Sequence, residues 1–470
     1  MGIDIVRGAI KNQIASKDLI EAVNGIQTEY TGSLFLAYPL SATAEGLVTI
    51  DGLLITKEKG IVAFIFDNGV NREEQQDSLY YQITNTLNNY ETLRKGRHLA
   101  VEPNVITYGV EFELPESSDE YIYASKDTLK EVLESKIESF EVEYYEKLIE
   151  ALQKISTMKP KKQRRNVLKE SSRGAIIKNI EKQIANLDQW QKKAAFEVPD
   201  GPQRIRGLAG SGKTVVLALK AAYLHTQHPD WNIAITYYTR SLFQQFYEMI
   251  SNFSREFSGD DPDWNKLHIL HSWGTSSDEG IYSIAVRKLG LTPLNYTNAK
   301  IKYGSIGAFE GVCREVVYAF GNQSYEEFDA ILIDEAQDMP SYFFKLCYNL
   351  LKEPKRLVFA YDELQNLGNN NMPSLQEMFG TNNDGSSKVV LENKKNEARQ
   401  DIVLPICYRN TPWALTLAHA LGFGIYRTEG LVQLFSELEL WTDIGYKVSS
   451  GTLKNGKHVK LVRSEEAAPT

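Results

Sequence analysis

Glycines, a lysine and a threonine stand at fixed spacing in residues 207–214, whose sequence is GLAGSGKT. The spacing matches G-x-x-x-x-G-K-[ST], the pattern of loops that hold nucleotide phosphates. Glycines let backbone N–H groups turn toward a phosphate, and the start of the following helix adds partial positive charge. We expect the lysine to reach the β- and γ-phosphates and the threonine hydroxyl to bind Mg²⁺. The residues predicted to hold the nucleotide in this phosphate loop are Gly207, Gly210, Ser211, Gly212, Lys213 and Thr214.

Two adjacent carboxylates follow the apolar run at 330–333, whose sequence is AILI. In parallel α/β sheets, ligands bind at the carboxyl ends of the strands. We expect Asp334 to hold Mg²⁺, directly or through water, and Glu335 to orient and deprotonate an attacking water. The alternative is an exposed acidic turn after a core strand. The phosphate loop earlier in the chain favours the catalytic interpretation.

The sequence around these motifs predicts the elements that must position them. Residues 204–206 can form a short strand before the phosphate loop, and residues 215–222 predict a helix after it. From about 180 to 400, strand and helix patterns alternate, which is typical of a parallel sheet. The Asn-, Gly- and Ser-rich segment 367–388 predicts a long mobile loop. The predicted fold class is therefore α/β.

The composition is that of an ordinary globular protein. The chain has 470 residues, of which 42% are hydrophobic and 24% charged, with room for roughly two to four domains. The three cysteines have no metal-ligand spacing, and so sparse a count predicts a reducing, cytoplasmic location. No apolar run approaches the length of about 18 residues that a membrane helix needs. With a net charge of −9, any contact with nucleic acid must come from a local groove.

The chain divides into four predicted regions. Residues 1–124 mix strand and helix patterns, and 125–180 predict a helical and basic linker. The alternating parallel-sheet region covers 181–400, and a smaller region covers 401–470. The linker includes the basic run KPKKQRR at 159–165, which we interpret as a solvated segment. A direct contact of this run with nucleic acid is the alternative.

Short motifs on both sides of the phosphate loop resemble those of superfamily 1 DNA helicases of the UvrD/Rep type. In chain order they are LDQWQ at 187–191, ITYYTRS at 235–241, LHSW at 270–273, DEAQD at 334–338, FAYDELQ at 359–365 and CYRNT at 407–411. The resemblance implies two RecA-like motor domains with ATP between them and single-stranded DNA across their tops. Residues 181–400 would be the first motor domain, and 401–470 part of the second.

The resemblance also implies roles for single residues. Gln191 would read the adenine, Gln365 would sense the γ-phosphate, and Arg409 would contact the γ-phosphate. The turn before Gln365 departs from the Asp-rich turn of the family, and a structural arginine is the alternative for Arg409. The residues that would contact DNA are Tyr238, Thr239, Arg240 and His271. A core aromatic is the alternative for the tyrosine, and a loop histidine for the last of these.

Two of the family's motifs have no counterpart after Thr411, namely motif V, which contacts DNA, and motif VI, which carries a second arginine. We expect the second motor domain to be incomplete, through truncation or because a partner chain supplies it. Efficient hydrolysis needs positive charge on both sides of the phosphates. The sequence therefore predicts weak ATPase activity and little unwinding by this chain alone.

The N-terminal region resembles the nuclease-related core of the PD-(D/E)XK type at residues 50–55 and 60–68. Asp51 occupies the metal-binding aspartate position of that core. The Glu-x-Lys positions fall on Ile65 and Asp67, so an apolar side chain replaces one ligand and the catalytic lysine is missing. We interpret the region as a degenerate nuclease-like α+β domain for DNA binding or assembly. An active nuclease and an unrelated β-hairpin are the alternatives.

The predicted function is that of an ATP-binding, DNA-dependent ATPase of the superfamily 1 helicase type, within a bacterial repair or phage-defence nuclease–helicase. ATP and Mg²⁺ are the predicted cofactors, and single-stranded DNA or DNA ends the predicted partner. RNA stays open, because such residues contact phosphates and stacked bases. The alternative function is a non-translocating regulatory or scaffold subunit that senses ATP or DNA and needs a partner chain.

Overall fold

Two large β-sheets organise the chain in the computed structural model, each with six strands. The first sheet is built from the N-terminal region, and the second contains the strand that leads into the phosphate loop. The described residues are 2–8, 10, 12–43, 46–88, 90–95, 98–152, 187–275, 278–321, 323–362, 372–382, 384–394, 397–408, 412–422, 441–442, 446–451 and 459–463.

The first sheet is mixed. Its strands are β1 (Ile3–Arg7), β2 (Gly32–Thr43), β3 (Gly46–Thr56), β4 (Gly60–Phe66), β7 (Asn104–Tyr108) and β8 (Ile122–Ala124), and a separate short hairpin is formed by β5 (Arg94–Lys95) and β6 (His98–Leu99). Strands β2, β3 and β4 form an antiparallel meander, and β1, β7 and β8 add to it in parallel. Residues 57–59 form the turn that joins β3 to β4.

Helices cover both faces of the first sheet. They are α1 (Gln13–Gly25), α2 (Arg72–Asn88), α3 (Leu129–Ser135) and α4 (Tyr145–Leu152). Because side chains alternate along a strand, Leu54 packs with α1 and α3 while Leu53 packs with α2 on the other face. Asn12 caps α1 by accepting a hydrogen bond from the Ala15 N–H at 3.0 Å. The first part of the predicted linker thus packs on the sheet as α3.

The second sheet is parallel, which confirms the predicted α/β class. Its strands are β9 (Gln203–Gly207), β10 (Ile233–Tyr237), β11 (Leu267–His271), β12 (Phe328–Ile333), β13 (Leu351–Tyr361) and β14 (Asp401–Leu404). Their spatial order is β11-β10-β12-β13-β9-β14, and every described pairing is parallel. Strand β10 is buried along its whole length, as expected for a sheet covered on both faces.

Helices form one layer on each face of the parallel sheet. Those that follow the first sheet are α5 (Gln189–Phe196), α6 (Lys213–Gln227), α7 (Leu242–Ser258), α8 (Ile281–Lys288), α9 (Tyr296–Phe320), α10 (Ser341–Leu350), α11 (Leu375–Phe379) and α12 (Pro412–Gly422). Helices α5, α6 and α7 share one core with the first sheet, and α8 to α11 form a second core on the other face. An antiparallel hairpin of β15 (Tyr446–Gly451) and β16 (Val459–Arg463) comes last.

The layer of α5, α6 and α7 therefore contacts both sheets. Helix α5 contacts β1, and α7 contacts β2 and β3. The Tyr223 hydroxyl of α6 donates a hydrogen bond to the Ala37 carbonyl of β2 at 3.4 Å. The Lys192 ammonium of α5 lies 5.9 Å from the ring centre of Phe35 in β2. One continuous apolar core thus joins the first sheet to the face of the parallel sheet that α5, α6 and α7 cover.

The segment expected to be a long loop contains a helix. Helix α11 lies within 367–388 because Ser374 and Glu377 form a reciprocal cap at its start. Residues 363–371 and 409–411, which include Gln365 and Arg409, lie outside the described residues, as does the basic run at 159–165. Within the described ranges, no helix combines the length and apolarity that crossing a bilayer requires.

Candidate active site

The phosphate loop lies between the end of β9 and the start of α6, where the sequence predicted it. Gly210 and Gly212 have φ angles of 85° and 87°, in the left-handed region that glycine adopts without strain. A Cβ atom on Gly207 would lie 2.3 Å from the Ser211 hydroxyl, so this position also requires glycine. The glycines of the motif are therefore needed for the backbone path of the loop itself.

Neighbouring segments bind the carbonyl oxygens of the loop from outside. The Gln191 amide donates to the Ser211 carbonyl at 2.8 Å. The Tyr408 N–H donates to the Gly210 carbonyl at 3.0 Å, and the Cys407 thiol to the Ala209 carbonyl at 3.1 Å. The first N–H groups of α6 have no acceptor within the helix. Fixing these carbonyls favours a loop whose N–H groups are available to an anion, apart from that of Ser211, which donates to the Leu208 carbonyl at 3.0 Å.

Lys213 is held inside the loop. Its ammonium donates to the Gly207 carbonyl at 2.8 Å and to the Leu208 carbonyl at 3.3 Å. It also lies 3.8 Å from a carboxylate oxygen of Asp362, which follows β13. Lys213 and Asp362 are only 7% and 1% exposed. The charge that would meet a phosphate is thus already next to the loop, in a buried setting that strengthens electrostatic contacts.

Thr214 and Asp334 meet across the site. The Thr214 hydroxyl donates to Oδ2 of Asp334 at 2.9 Å. Asp334 follows β12 directly and is fully buried, and its Oδ1 has no hydrogen-bond partner among the described residues. Burial, and then the neighbouring charge of Glu335, raise the pKa of Asp334 to about 6. A buried carboxylate oxygen without a partner is a feature that calls for a bound cation or water.

This donor set fits Mg²⁺. Magnesium takes oxygen ligands and is commonly held by one or two carboxylates together with substrate phosphates and waters. A hydroxyl and a carboxylate beside a phosphate loop supply the protein's share of such a site. The structure contains, within the described ranges, no group of three or more His, Cys, Asp or Glu side chains that could hold a metal alone. Thr214 and Asp334 would supply part of the oxygen ligand shell of a bound Mg²⁺.

Glu335 stands in a strained turn next to Asp334. Its φ is 48°, in the left-handed region that a glutamate rarely adopts. The Gln337 amide donates to Oε2 of Glu335 at 2.6 Å. The side-chain carbonyl of Gln337 accepts a hydrogen bond from the Asp362 N–H at 3.3 Å. No role was predicted for Gln337 or Asp362, because the contact between them joins the ends of two different strands.

Gln191 links helix α5 to the phosphate loop. It forms a reciprocal cap with Asp188, accepting the Asp188 N–H at 3.0 Å and donating its own N–H to Asp188 at 2.8 Å. The Tyr408 hydroxyl donates to the other carboxylate oxygen of Asp188 at 2.6 Å. Burial, and then the charge of Asp188, raise the pKa of Tyr408. No separate role was predicted for Tyr408, but its side chain borders the site beside Gln191.

The predicted DNA-contact residues cluster at the ends of β10 and β11. Tyr238, Thr239 and Arg240 are exposed, which disagrees with a core role for the tyrosine. A ring nitrogen of His271 lies 2.7 Å from the Tyr238 carbonyl, and the two rings are stacked with centres 6.5 Å apart. Arg240 lies 3.9 Å from Asp278 in an exposed pair. Three exposed side chains and the half-buried His271 thus form a polar and aromatic edge on the parallel sheet.

Asp51 and Asp67 lie on one face of the first sheet, together with Ile65. Asp51 accepts the Phe66 N–H at 2.9 Å. Both oxygens of Asp67 accept from the Arg72 guanidinium, at 2.9 Å and 2.7 Å. Burial raises the pKa of Asp67, but hydrogen bonds from Arg72 and from the Gly69 N–H outweigh it, and the pKa is lowered. Asp67 is therefore neutralised by a protein cation.

Comparison with known proteins finds similarity among solved structures. No protein-family model matches the chain, and no curated protein matches it. Among solved structures, part of the chain is similar to the Pif1 helicase from Candida albicans, with 14% sequence identity and a TM-score of 0.21. The match covers 46% of this chain and spans 39% of that helicase. A similarity this distant assigns no function to the chain.

Proposed function

We propose that the chain is an ATP-binding, DNA-dependent ATPase of the superfamily 1 helicase type. One observation carries the proposal. The Thr214 hydroxyl and the buried Asp334 carboxylate meet at 2.9 Å beside the phosphate loop, and Oδ1 of Asp334 has no described hydrogen-bond partner. This arrangement places cation ligands next to a phosphate cradle at the carboxyl edge of a parallel sheet, where ligands of such sheets bind.

The residues divide the chemistry of hydrolysis among themselves. Lys213 and the N–H groups of the loop bind the β- and γ-phosphates, and Thr214 and Asp334 hold Mg²⁺, which neutralises charge on the phosphates when it is bound. Glu335 orients a water and accepts its proton. The Gln191 amide holds the Ser211 carbonyl of the loop, and the resemblance assigns the adenine to this residue. The resemblance assigns the γ-phosphate contacts to Gln365 and Arg409.

We assign single-stranded nucleic acid to the exposed edge formed by Tyr238, Thr239, Arg240 and His271. An exposed aromatic ring can stack on a base, a contact worth roughly 1–3 kcal/mol and tolerant of sequence. DNA is the partner that the resemblance favours, with RNA as the alternative outcome of a binding test. Because the net charge is −9, such binding depends on local contacts and should weaken steeply with salt.

The domain division proposed from sequence keeps 181–400 as a RecA-like motor domain and 401–470 as part of a second one. A partner chain is the proposed source of the positive charge on the far side of the nucleotide. We keep the cytoplasm as the proposed location, because the chain has only three cysteines and all three are buried.

The proposal for the N-terminal region is a degenerate nuclease-related domain used for assembly or DNA binding. The order α1–β2–β3–β4–α2–β7, with β7 parallel to β4, supports a relationship to that core. The pairing of Asp67 with Arg72 and the apolar Ile65 favour an inactive site. The same sheet packs on helices α5 to α7, which supports a structural role in the motor.

A second candidate function is a non-translocating regulatory subunit that senses ATP or DNA. The contact of β1 with α5, the helix that carries Gln191, favours it because this contact links the N-terminal sheet to the nucleotide site. The discriminating quantity is whether nucleic acid changes the rate of turnover or only the affinity for nucleotide.

Steady-state ATP hydrolysis with and without single-stranded DNA tests the proposal, beside the Glu335→Gln variant. We expect measurable turnover that DNA stimulates and that falls by roughly 10²–10⁴-fold in the variant. Binding of ATP without stimulated turnover would favour the regulatory subunit. The absence of ATP binding by the wild-type chain would overturn both.

A further inference from the structure

Gln337 uses both ends of its side-chain amide within the candidate active site. The NH₂ group donates to Oε2 of Glu335 at 2.6 Å, and the carbonyl accepts the Asp362 N–H at 3.3 Å. Among the described residues, this NH₂ group is the hydrogen-bond donor to the Glu335 carboxylate. The amide therefore connects the proposed water-activating group, which follows β12, to the end of the neighbouring strand β13.

Glu335 needs such an anchor because its surroundings oppose its position. Asp334 and Asp338 stand beside Glu335 in the same short segment, and its charge adds to burial in raising the pKa values of both. Its backbone is also in the left-handed region, with φ 48°. Like charges and backbone strain each favour another arrangement unless a specific contact holds the side chain.

The second end of Gln337 connects this contact to the phosphate side of the site. Gln337 accepts a hydrogen bond from the Asp362 N–H. A carboxylate oxygen of Asp362 lies 3.8 Å from the Lys213 ammonium. A displacement of the backbone at 362 would therefore reach Glu335 through a single side chain. The short turn Ala336–Asp338 fixes the Gln337 backbone, since the Asp338 N–H donates to the Glu335 carbonyl at 3.0 Å.

We propose that Gln337 is a positioning residue for hydrolysis, which holds the Glu335 carboxylate toward the attacking water and couples it to the end of β13. The inference rests on the proposed ATPase function. It concerns turnover and not nucleotide binding, because Gln337 makes no described contact with the phosphate loop. It also explains why a polar side chain at 337 bridges two strand ends instead of facing solvent.

The test compares turnover and nucleotide affinity in Gln337→Met, which keeps the length of the side chain and removes the amide. We expect kcat to fall on the order of 10-fold, while the Kd of a fluorescent ATP analogue stays within about 2-fold. Gln337→Glu should be at least as impaired, because it replaces the donor by a like charge. Gln244→Met is the matched control, since Gln244 donates to Glu248 at 3.1 Å on the exposed surface of α7.

A double-mutant cycle separates positioning from general damage. If Gln337 acts through Glu335, the loss caused by Gln337→Met should largely disappear in a Glu335→Gln background. Additive losses, or a raised Kd with unchanged kcat, would overturn the inference and leave the ATPase proposal standing. A wild-type chain that binds ATP without hydrolysing it would overturn the ATPase proposal and the inference together.

Discussion

Asp334 and Asp67 each follow an apolar strand, but their surroundings differ in the structure. We call the Asp334 site the first corner and the Asp67 site the second corner. At the end of β12, the buried Asp334 has one oxygen without a described partner and lies against Thr214. At the end of β4, both oxygens of Asp67 are bound by Arg72. The first corner has unused capacity to bind a cation, whereas in the second a side chain of the protein already occupies the place of one.

The comparison shows that the number of carboxylates does not identify a metal site. What matters is whether folding leaves their oxygens unsatisfied at an energetic cost. Burial raises the pKa of Asp334 to about 6, so the nucleotide-free chain bears a cost for keeping that carboxylate. The pKa of Asp67 is lowered, because hydrogen bonds from Arg72 and Gly69 outweigh its burial. Function and stability therefore oppose each other at the first corner and agree at the second.

The largest combined effect is expected from Lys213→Ala, because it should impair both nucleotide binding and turnover. Removing the ammonium leaves the γ-phosphate without its main protein charge, so turnover should fall on the order of 10²–10³-fold or more. Steady-state hydrolysis and nucleotide titration measure the loss, with the exposed Lys300→Ala as control. Unchanged binding and turnover would remove the first corner from consideration as a nucleotide site.

Asp334→Asn should abolish turnover and yet stabilise the nucleotide-free chain. Asparagine keeps an acceptor for the Thr214 hydroxyl and removes the buried charge beside Glu335. The raised pKa of about 6 corresponds to a gain of roughly 1–3 kcal/mol in unfolding free energy at neutral pH. Denaturant unfolding in the presence of a chelator measures it. A loss of stability would show that this carboxylate is a structural group like Asp67.

Asp67→Asn should have the opposite sign. It leaves the Arg72 guanidinium facing a neutral amide, so the unfolding free energy should fall by roughly 1–3 kcal/mol. ATP hydrolysis should not change, since the pair lies in the first sheet. The same denaturant series measures the loss, and Arg72→Met gives a matched partner for a double-mutant cycle. An unchanged unfolding curve would contradict the structural role of the pair.

The pH dependence of stability should separate the corners further. The folded-state pKa of Asp334, about 6, lies above its ordinary value of 3.8, so the folded chain binds the proton more tightly between these values. Its contribution to stability is present below about pH 4 and is lost as pH rises to about 6. Chelator-treated wild type should lose this contribution, and Asp334→Asn should not. Identical pH curves for the two proteins would contradict the prediction.

The smallest effect is expected from Asp51→Ala on nuclease activity. The Asp51 carboxylate accepts a backbone N–H, and the neighbouring ligand position is Ile65, so any Mg²⁺-dependent cleavage of DNA should be unchanged. Digestion of linear and circular DNA with purified wild type and variant measures this. Cleavage that disappears with the substitution would show that the second corner is an active site after all.

The sequence was sufficient for the features that depend on local pattern. The apolar run before Asp334 predicted a buried strand with acids at its end, and the glycine spacing predicted the loop before α6. Contacts between distant segments were not predictable in this way. The bridge from Gln337 to the end of β13 exists because β12 and β13 are neighbours in the sheet, an order that chain position does not reveal.

The partner of Asp67 was also beyond the sequence. Arg72 is only five residues away in the chain, but the pairing depends on how the turn after β4 directs the first residue of α2. Likewise, helical patterns could not show that α5 to α7 pack against a second sheet. The packing of these helices depends on which of several apolar faces of similar composition meet.

The shared core of the first sheet and helices α5 to α7 bears on how the protein can be divided for experiments. Cutting the chain between residues 152 and 187 would separate Phe35 from Tyr223 and Phe246, which belong to the same buried cluster. These side chains would then lose neighbours that bury them. Large exposed apolar patches promote aggregation. Neither half is therefore expected to stay in solution by itself, whereas co-expressed halves should associate and co-purify.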